Sequence, residues 1–110
     1  MYAVIFEVQP KSGRQRDYLD IAAALRADLE TIDGFISVER FQSLSSEGKL
    51  LSLSFWRDAE AVRRWREHAR HQRAQHRGRS EIFADYRITV AEVVRQYGLS
   101  DRAEAPQDMA

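Results

Sequence analysis

The chain has 110 residues, 44% of them hydrophobic, and its 17 basic and 17 acidic side chains give a formal net charge of zero. One small domain with a modest core follows, and the balanced charge argues against a dedicated nucleic-acid or anionic-membrane binder, whose affinity is largely electrostatic. Cysteine is absent, which excludes disulfides, thiolate nucleophiles and cysteine-based metal centres. No apolar run reaches membrane-spanning length, and "MYAVIFEVQP" has neither a basic lead-in nor a small-residue cleavage site, so a cytoplasmic protein is expected.

"YAVIFEV" is β-branched and aromatic and stops at Pro10; it reads as a strand that is apolar on both faces. Ser12 followed by Gln15 predicts a capping-box start for a helix. Tyr18, Ile21, Ala22, Leu25, Leu29 and Ile32 form its apolar stripe, and "DG" ends it, with Gly34 as a left-handed cap. "FISVERFQSL" and "KLLSLSFW", joined by "SSEG", predict an antiparallel hairpin. In the second of these strands Leu51, Leu53 and Phe55 alternate with Ser52, Ser54 and Trp56. The leucine face is assigned to the helices, and the serine face is left with room for a ligand. Asp58 predicts the cap of a second helix, with a break near Ala69 and an end at Gly78. "EIFADY" reads as a connection and "RITVAEVVRQY" as a last strand. The domain is expected over residues 1–98, with a flexible tail over 99–110, where apolar periodicity is lost.

The order βαββαβ predicts an α+β, ferredoxin-like fold: an antiparallel sheet with two helices on one face. The other face is too apolar for water, so a second copy is expected to pack on it as a homodimer, forming an α+β barrel with a lined interior.

"WREHARHQRAQHRGR", residues 65–79, holds all three histidines. At 100° per residue, Arg63, Arg66, Arg70, Arg73 and Arg77 form one stripe, while Val62, Trp65, Ala69, Gln72 and His76 face inward. His68 and His71 alone are spaced to share an ion and lack a third ligand, so no metal is expected. From Arg57 to Arg79 there are eight arginines and three acids, against five acids and three arginines from Arg14 to Asp33. A salt-bridged wet face, neutralised by the first helix, is therefore preferred to a nucleic-acid grip. The candidate catalytic residues are Trp65 and His76. Phe6, Ser52, Ser54, Trp56, Phe83 and Tyr86 are the candidate substrate-binding residues. For each of these aromatics, packing in the core is the default reading.

"DGFISVERF", "LLSLSFWRDAEAVRRWREHARHQRAQHRGR" and "IFADYRITVAEV" resemble the antibiotic biosynthesis monooxygenase family, from about Tyr2 to Tyr97 and most densely in "SFWRDAEAVRRWREH". The resemblance implies a dimeric α+β barrel with a pocket in each protomer. It also implies a small oxygenase needing neither metal nor flavin, in which an electron-rich phenol or quinol reacts with dioxygen. A haem-degrading branch of the fold is similar to a different pattern: an asparagine on the first strand, a tryptophan on the second helix and a histidine ten residues on. Here those positions hold Phe6, Trp65 and Gln75, with His76 one place later, and the chain contains no asparagine. The leading expectation is a cofactor-independent monooxygenase acting on an aromatic or quinol-type ligand. Haem binding or degradation is the alternative, and a non-enzymatic dimeric module that binds a small ligand is the third reading.

Overall fold

The computed structural model describes residues 1–75 and 82–106. Its elements are β1 (Tyr2–Pro10), α1 (Gln15–Glu30), β2 (Phe35–Gln42), β3 (Leu50–Trp56), α2 (Ala59–Gln75) and β4 (Phe83–Glu92). The strands form one antiparallel sheet in the order β2-β3-β1-β4, the expected ferredoxin-like arrangement. Both helices lie on one face, and the molecule is a two-layer slab of 50 × 34 × 19 Å.

Local chemistry moves several boundaries. α1 has no capping box. Gly13, at φ +79°, turns the chain after Ser12, so the N-cap falls on Arg14. The Arg14 side chain makes no capping bond and pairs with Asp17 at 2.9 Å. The Asp58 cap does form, its carboxylate accepting the Ala61 N–H at 2.9 Å. α2 then runs without interruption through Ala69 to Gln75. β4 starts at Phe83 rather than Arg87, because its ladder with β1 continues to Pro10 through a register shift at Gln9/Pro10. It ends at Glu92, which pairs with Tyr2 where β1 itself begins. "FADY" is thus strand, and "VVRQY" lies beyond the sheet.

The hairpin pairs β2 with β3 as expected, and Gly48 takes φ +79° in its turn. Gly34 also lies in the left-handed region, at φ +95°. A Cβ there would stand 2.5 Å from the Ala61 Cβ, so only glycine lets the end of α1 pass beneath the start of α2.

The assignment of the two faces of β3 is reversed. Ser52, Ser54 and Trp56 face the helices; Leu51, Leu53 and Phe55 lie on the open face. The register shows this: Ser54 is in line with Val4 and Val38, and Val4, Val38 and Trp56 pack with Leu29 of α1 and Ala61 and Val62 of α2. Both faces of β3 carry apolar residues, so alternation separates the faces without saying which one is inward. The indole decides it. Trp56 is fully buried, and its Nε1–H donates to Ser54 Oγ at 2.9 Å, so the small hydroxyl satisfies the large ring's polar atom inside the core.

Candidate functional site

On the helix face the strands set three successive rungs, each read across β4, β1, β3 and β2. Val90, Val4, Ser54 and Val38 make one; Ile88, Phe6, Ser52 and Arg40 make the next; Tyr86, Val8, Leu50 and Gln42 the one after. The core divides on either side of the middle one. A first cluster gathers Val4, Leu29, Val38, Trp56, Ala61 and Val62. A second gathers Val8, Tyr18, Ala22, Leu50 and Ile82. Between them Ser52 stands with Phe6 on one side and Arg40 on the other. Those two residues are separated by two strand spacings, about 10 Å. The smallest side chain of the rung sits where the core is interrupted.

The sequence-predicted residues fall into two groups around this break. Phe6 is the hub of an aromatic quartet, its ring centroid 5.7 Å from Tyr86, 6.0 Å from Phe83 and 6.4 Å from Tyr18. Tyr18 and Phe83 meet edge to face at 5.8 Å. Tyr86 and Ile88 are about half exposed, so the quartet opens to solvent along β4. Trp56, Ser54 and Trp65 form the other group. Trp65 packs on the first cluster with its ring 6.0 Å from Trp56. Ser54 is buried, accepts from the Trp56 indole and donates to the Val4 carbonyl at 3.4 Å, so its polar capacity is used within the fold. Ser52 makes no such commitment among the described residues and is the hydroxyl nearest the break. His76 lies outside the described residues.

Two residues join the site that the sequence did not single out for it. Tyr18 appeared only as a member of the α1 stripe, yet its ring closes the quartet. Burial pushes its phenol above the ordinary tyrosine range, while the Arg40 guanidinium beside it pulls the other way. Arg40 is a charged side chain on the inward phase of β2, two residues from Val38, and that misplaced charge was the available signal.

The charges of the helices settle mainly within elements. Arg63 pairs with Glu60 and Glu67 of its own helix at 2.7 and 2.9 Å. Between elements, Arg57 binds Asp33 through two nitrogens at 3.1 and 3.2 Å and reaches Asp58 at 2.9 Å, tying the end of α1 to the start of α2. His68 stands 3.7 Å from Asp28. Of the stripe, Arg63 is thus neutralised by its own helix, while the neighbouring Arg64 reaches Asp33 at 3.7 Å. Among the described residues no three His, Asp or Glu side chains gather as a metal site requires, and no helix is long and apolar enough to cross a membrane.

A four-stranded antiparallel sheet with two helices on one face, in the order βαββαβ, is a ferredoxin-like α+β domain. Within that class, this chain belongs to the antibiotic biosynthesis monooxygenase family, whose model matches residues 1–77. A jasmonate monooxygenase of Pyricularia oryzae is 48% identical over 93 residues, covering 84% of this chain and 43% of that protein, so the chain spans less than half of that relative's length. Among solved structures, MhuD with two manganese protoporphyrin IX molecules bound per active site superposes with a TM-score of 0.74 at 19% identity, covering 89% of this chain and 99% of that one. SnoaB, a cofactor-independent oxygenase from Streptomyces nogalater, gives 0.65 at 14% identity, covering 86% and 94%. At these identities the structural likeness speaks for the fold alone.

Proposed function

We propose that this protein is a monooxygenase that oxidises a phenol- or quinol-type small molecule with dioxygen, without a bound cofactor, in the trough at the Phe6–Ser52 rung. The observation that carries the reading is the interruption of the core there, walled by the aromatic quartet and open along β4. Such a slot suits a flat ring: apolar walls take the body, and a few polar groups fix its orientation. With 1-naphthol as example, the ring carbon para to the hydroxyl exchanges its C–H for C=O. One oxygen atom of dioxygen enters the ring, and the other leaves as water with the two hydrogens the substrate loses. The protein's part is to orient the ring, exclude bulk water and favour loss of the phenolic proton. The name of the Pyricularia oryzae relative, a jasmonate monooxygenase, supports the monooxygenase part of this reading.

The described residues do not suit haem. Where a polar amide would be needed on the first strand, Phe6 is packed among three rings. The one histidine with a described side chain, His68, lies against Asp28. A second copy of the chain over the open face is part of the same reading. Oxygen uptake with 1-naphthol and substituted hydroquinones, in the presence of a chelator, tests it directly. We expect one dioxygen consumed per quinone formed, and an altered rate in Trp65→Phe, since that ring borders the first cluster. A stoichiometric Soret shift with hemin, followed by reductant-driven bleaching, would replace this reading with haem degradation. Silence in both assays would leave a ligand-binding module.

A further inference from the structure

Arg40 is set apart from the other arginines among the described residues. Its Nε is shut off from solvent and has no hydrogen-bond partner among the described residues, and no carboxylate pairs with it there. The guanidinium as a whole is half-buried and meets the Tyr18 phenol, but its closed-off Nε is left without an acceptor, which costs more than the same group in water. The surroundings offer none that is ionised. Its cross-strand neighbour is Ser52, and the packed element above it presents Tyr18, whose phenol burial keeps protonated. Glu39 and Phe41 alternate onto the opposite face of the sheet.

The position of this cation is informative. Along the interrupted rung the order is Ile88, Phe6, Ser52, Arg40, from the half-exposed residue of one edge strand to the half-buried arginine of the other. An apolar ring entering past Ile88 and lying on Phe6 would bring its far end over Ser52 to the guanidinium. We propose that Arg40 is the anchor for a substrate oxyanion: the site takes a ring-bearing molecule whose anionic oxygen, a carboxylate or a phenolate, is bound by Arg40 with Tyr18 and Ser52 as neutral donors. A guanidinium is suited to this because it stays charged and presents several donors in one plane. The assignment rests on the trough being the substrate site. It is read by binding alone, so it can fail while oxygenase activity stands, and the reverse.

Affinities of four probes at neutral pH test it, followed by quenching of tryptophan fluorescence. 1-Naphthoate and 4-nitro-1-naphtholate are anionic; 1-naphthamide and 1-naphthol are their neutral counterparts. In the wild type we expect at least one anion to bind about tenfold or more tighter than its neutral counterpart, and which of the two anions shows this tells carboxylate from phenolate. In Arg40→Gln the ratio should fall to within about twofold while the neutral probes bind as before; in Arg40→Lys much of it should survive, since the charge is kept. Equal binding of charged and neutral probes by the wild type overturns the assignment without need of any variant. So does a charge preference that persists in Arg40→Gln.

Discussion

Trp56 and Phe55 are adjacent in β3 and point to opposite faces of one sheet. The indole is completely buried, bonded to Ser54 and packed with residues from both helices. The phenyl ring belongs to a row with Leu51, Leu53, Ala3 and Ile5 that no helix covers, flanked by Ile36 and Phe41 at 49% and 43% exposure. The same apolar material therefore closes a core on one side and stays partly open on the other. The consequence is a slab: the radius of gyration is 15.9 Å, where a compact domain of this size has about 13 Å. The closed face holds the fold together, and the open face asks for another layer.

The strongest test of that contrast is Trp56→Ala. It removes a fully buried ring, leaves a cavity and takes away the donor to Ser54 Oγ, so we expect a loss of about 3–5 kcal/mol in urea unfolding. Phe55→Ala, measured below the concentration at which copies associate, should cost clearly less. Equal losses would mean that the open face is as well packed as the closed one.

Gly34→Ala probes the closed face at its rim. The added methyl meets both an unfavourable φ and the Ala61 Cβ, and backbone strain of this kind alone costs about 1–3 kcal/mol. Ala61→Gly should recover part of the loss by clearing the contact. No recovery would assign the whole effect to φ.

Leu53→Asp should leave a folded protomer nearly untouched while setting a charge in the middle of the open face. Sedimentation should show the wild type at twice the chain mass and the variant at the chain mass, because an unpaired charge buried in an interface is strongly penalised. A wild type that sediments as a monomer at micromolar concentration would remove the second layer altogether.

These particulars also show what was legible in the sequence. The alternation of β3 and the stripe of α1 reveal element order, and with it the fold, because each pattern reports a local period. The inward face of β3 was not legible, since it depends on which neighbour bonds the Trp56 N–H, a contact made only after the strands pair. The aromatic part of the site, Phe6, Phe83 and Tyr86, was visible as ring-bearing residues near strands. Tyr18 and Arg40 were not, because their meeting depends on α1 crossing β2, and no local spacing encodes it. The capping box failed for a similar reason: Ser12 and Gln15 have the right spacing, but Gly13 between them turns the chain first.

The smallest effect concerns the charged rim that ties α1 to α2. Hydrogen bonds from Arg57 are the foremost reason that the Asp33 and Asp58 carboxyls titrate below their ordinary value of 3.8; for Asp58 the Ala61 N–H adds to this. A carboxyl whose folded pKa is depressed contributes stability above its unfolded value, and that contribution is lost as pH falls through the folded value. The wild type should therefore lose stability below pH 3.8, beyond what its other carboxyls cause. Both acids are solvent-exposed, so screening keeps the contribution small. Arg57→Met separates it from the rest. The gap between urea midpoints at neutral pH and at about pH 3 should narrow in the variant relative to the wild type, whereas Arg63→Met should narrow it through the local pair with Glu60, whose carboxyl Arg63 holds below its ordinary value. If Arg57→Met leaves the gap unchanged, the rim is only a surface ornament of the closed face and the junction of the two helices rests on Gly34, Ala61 and Trp56 alone.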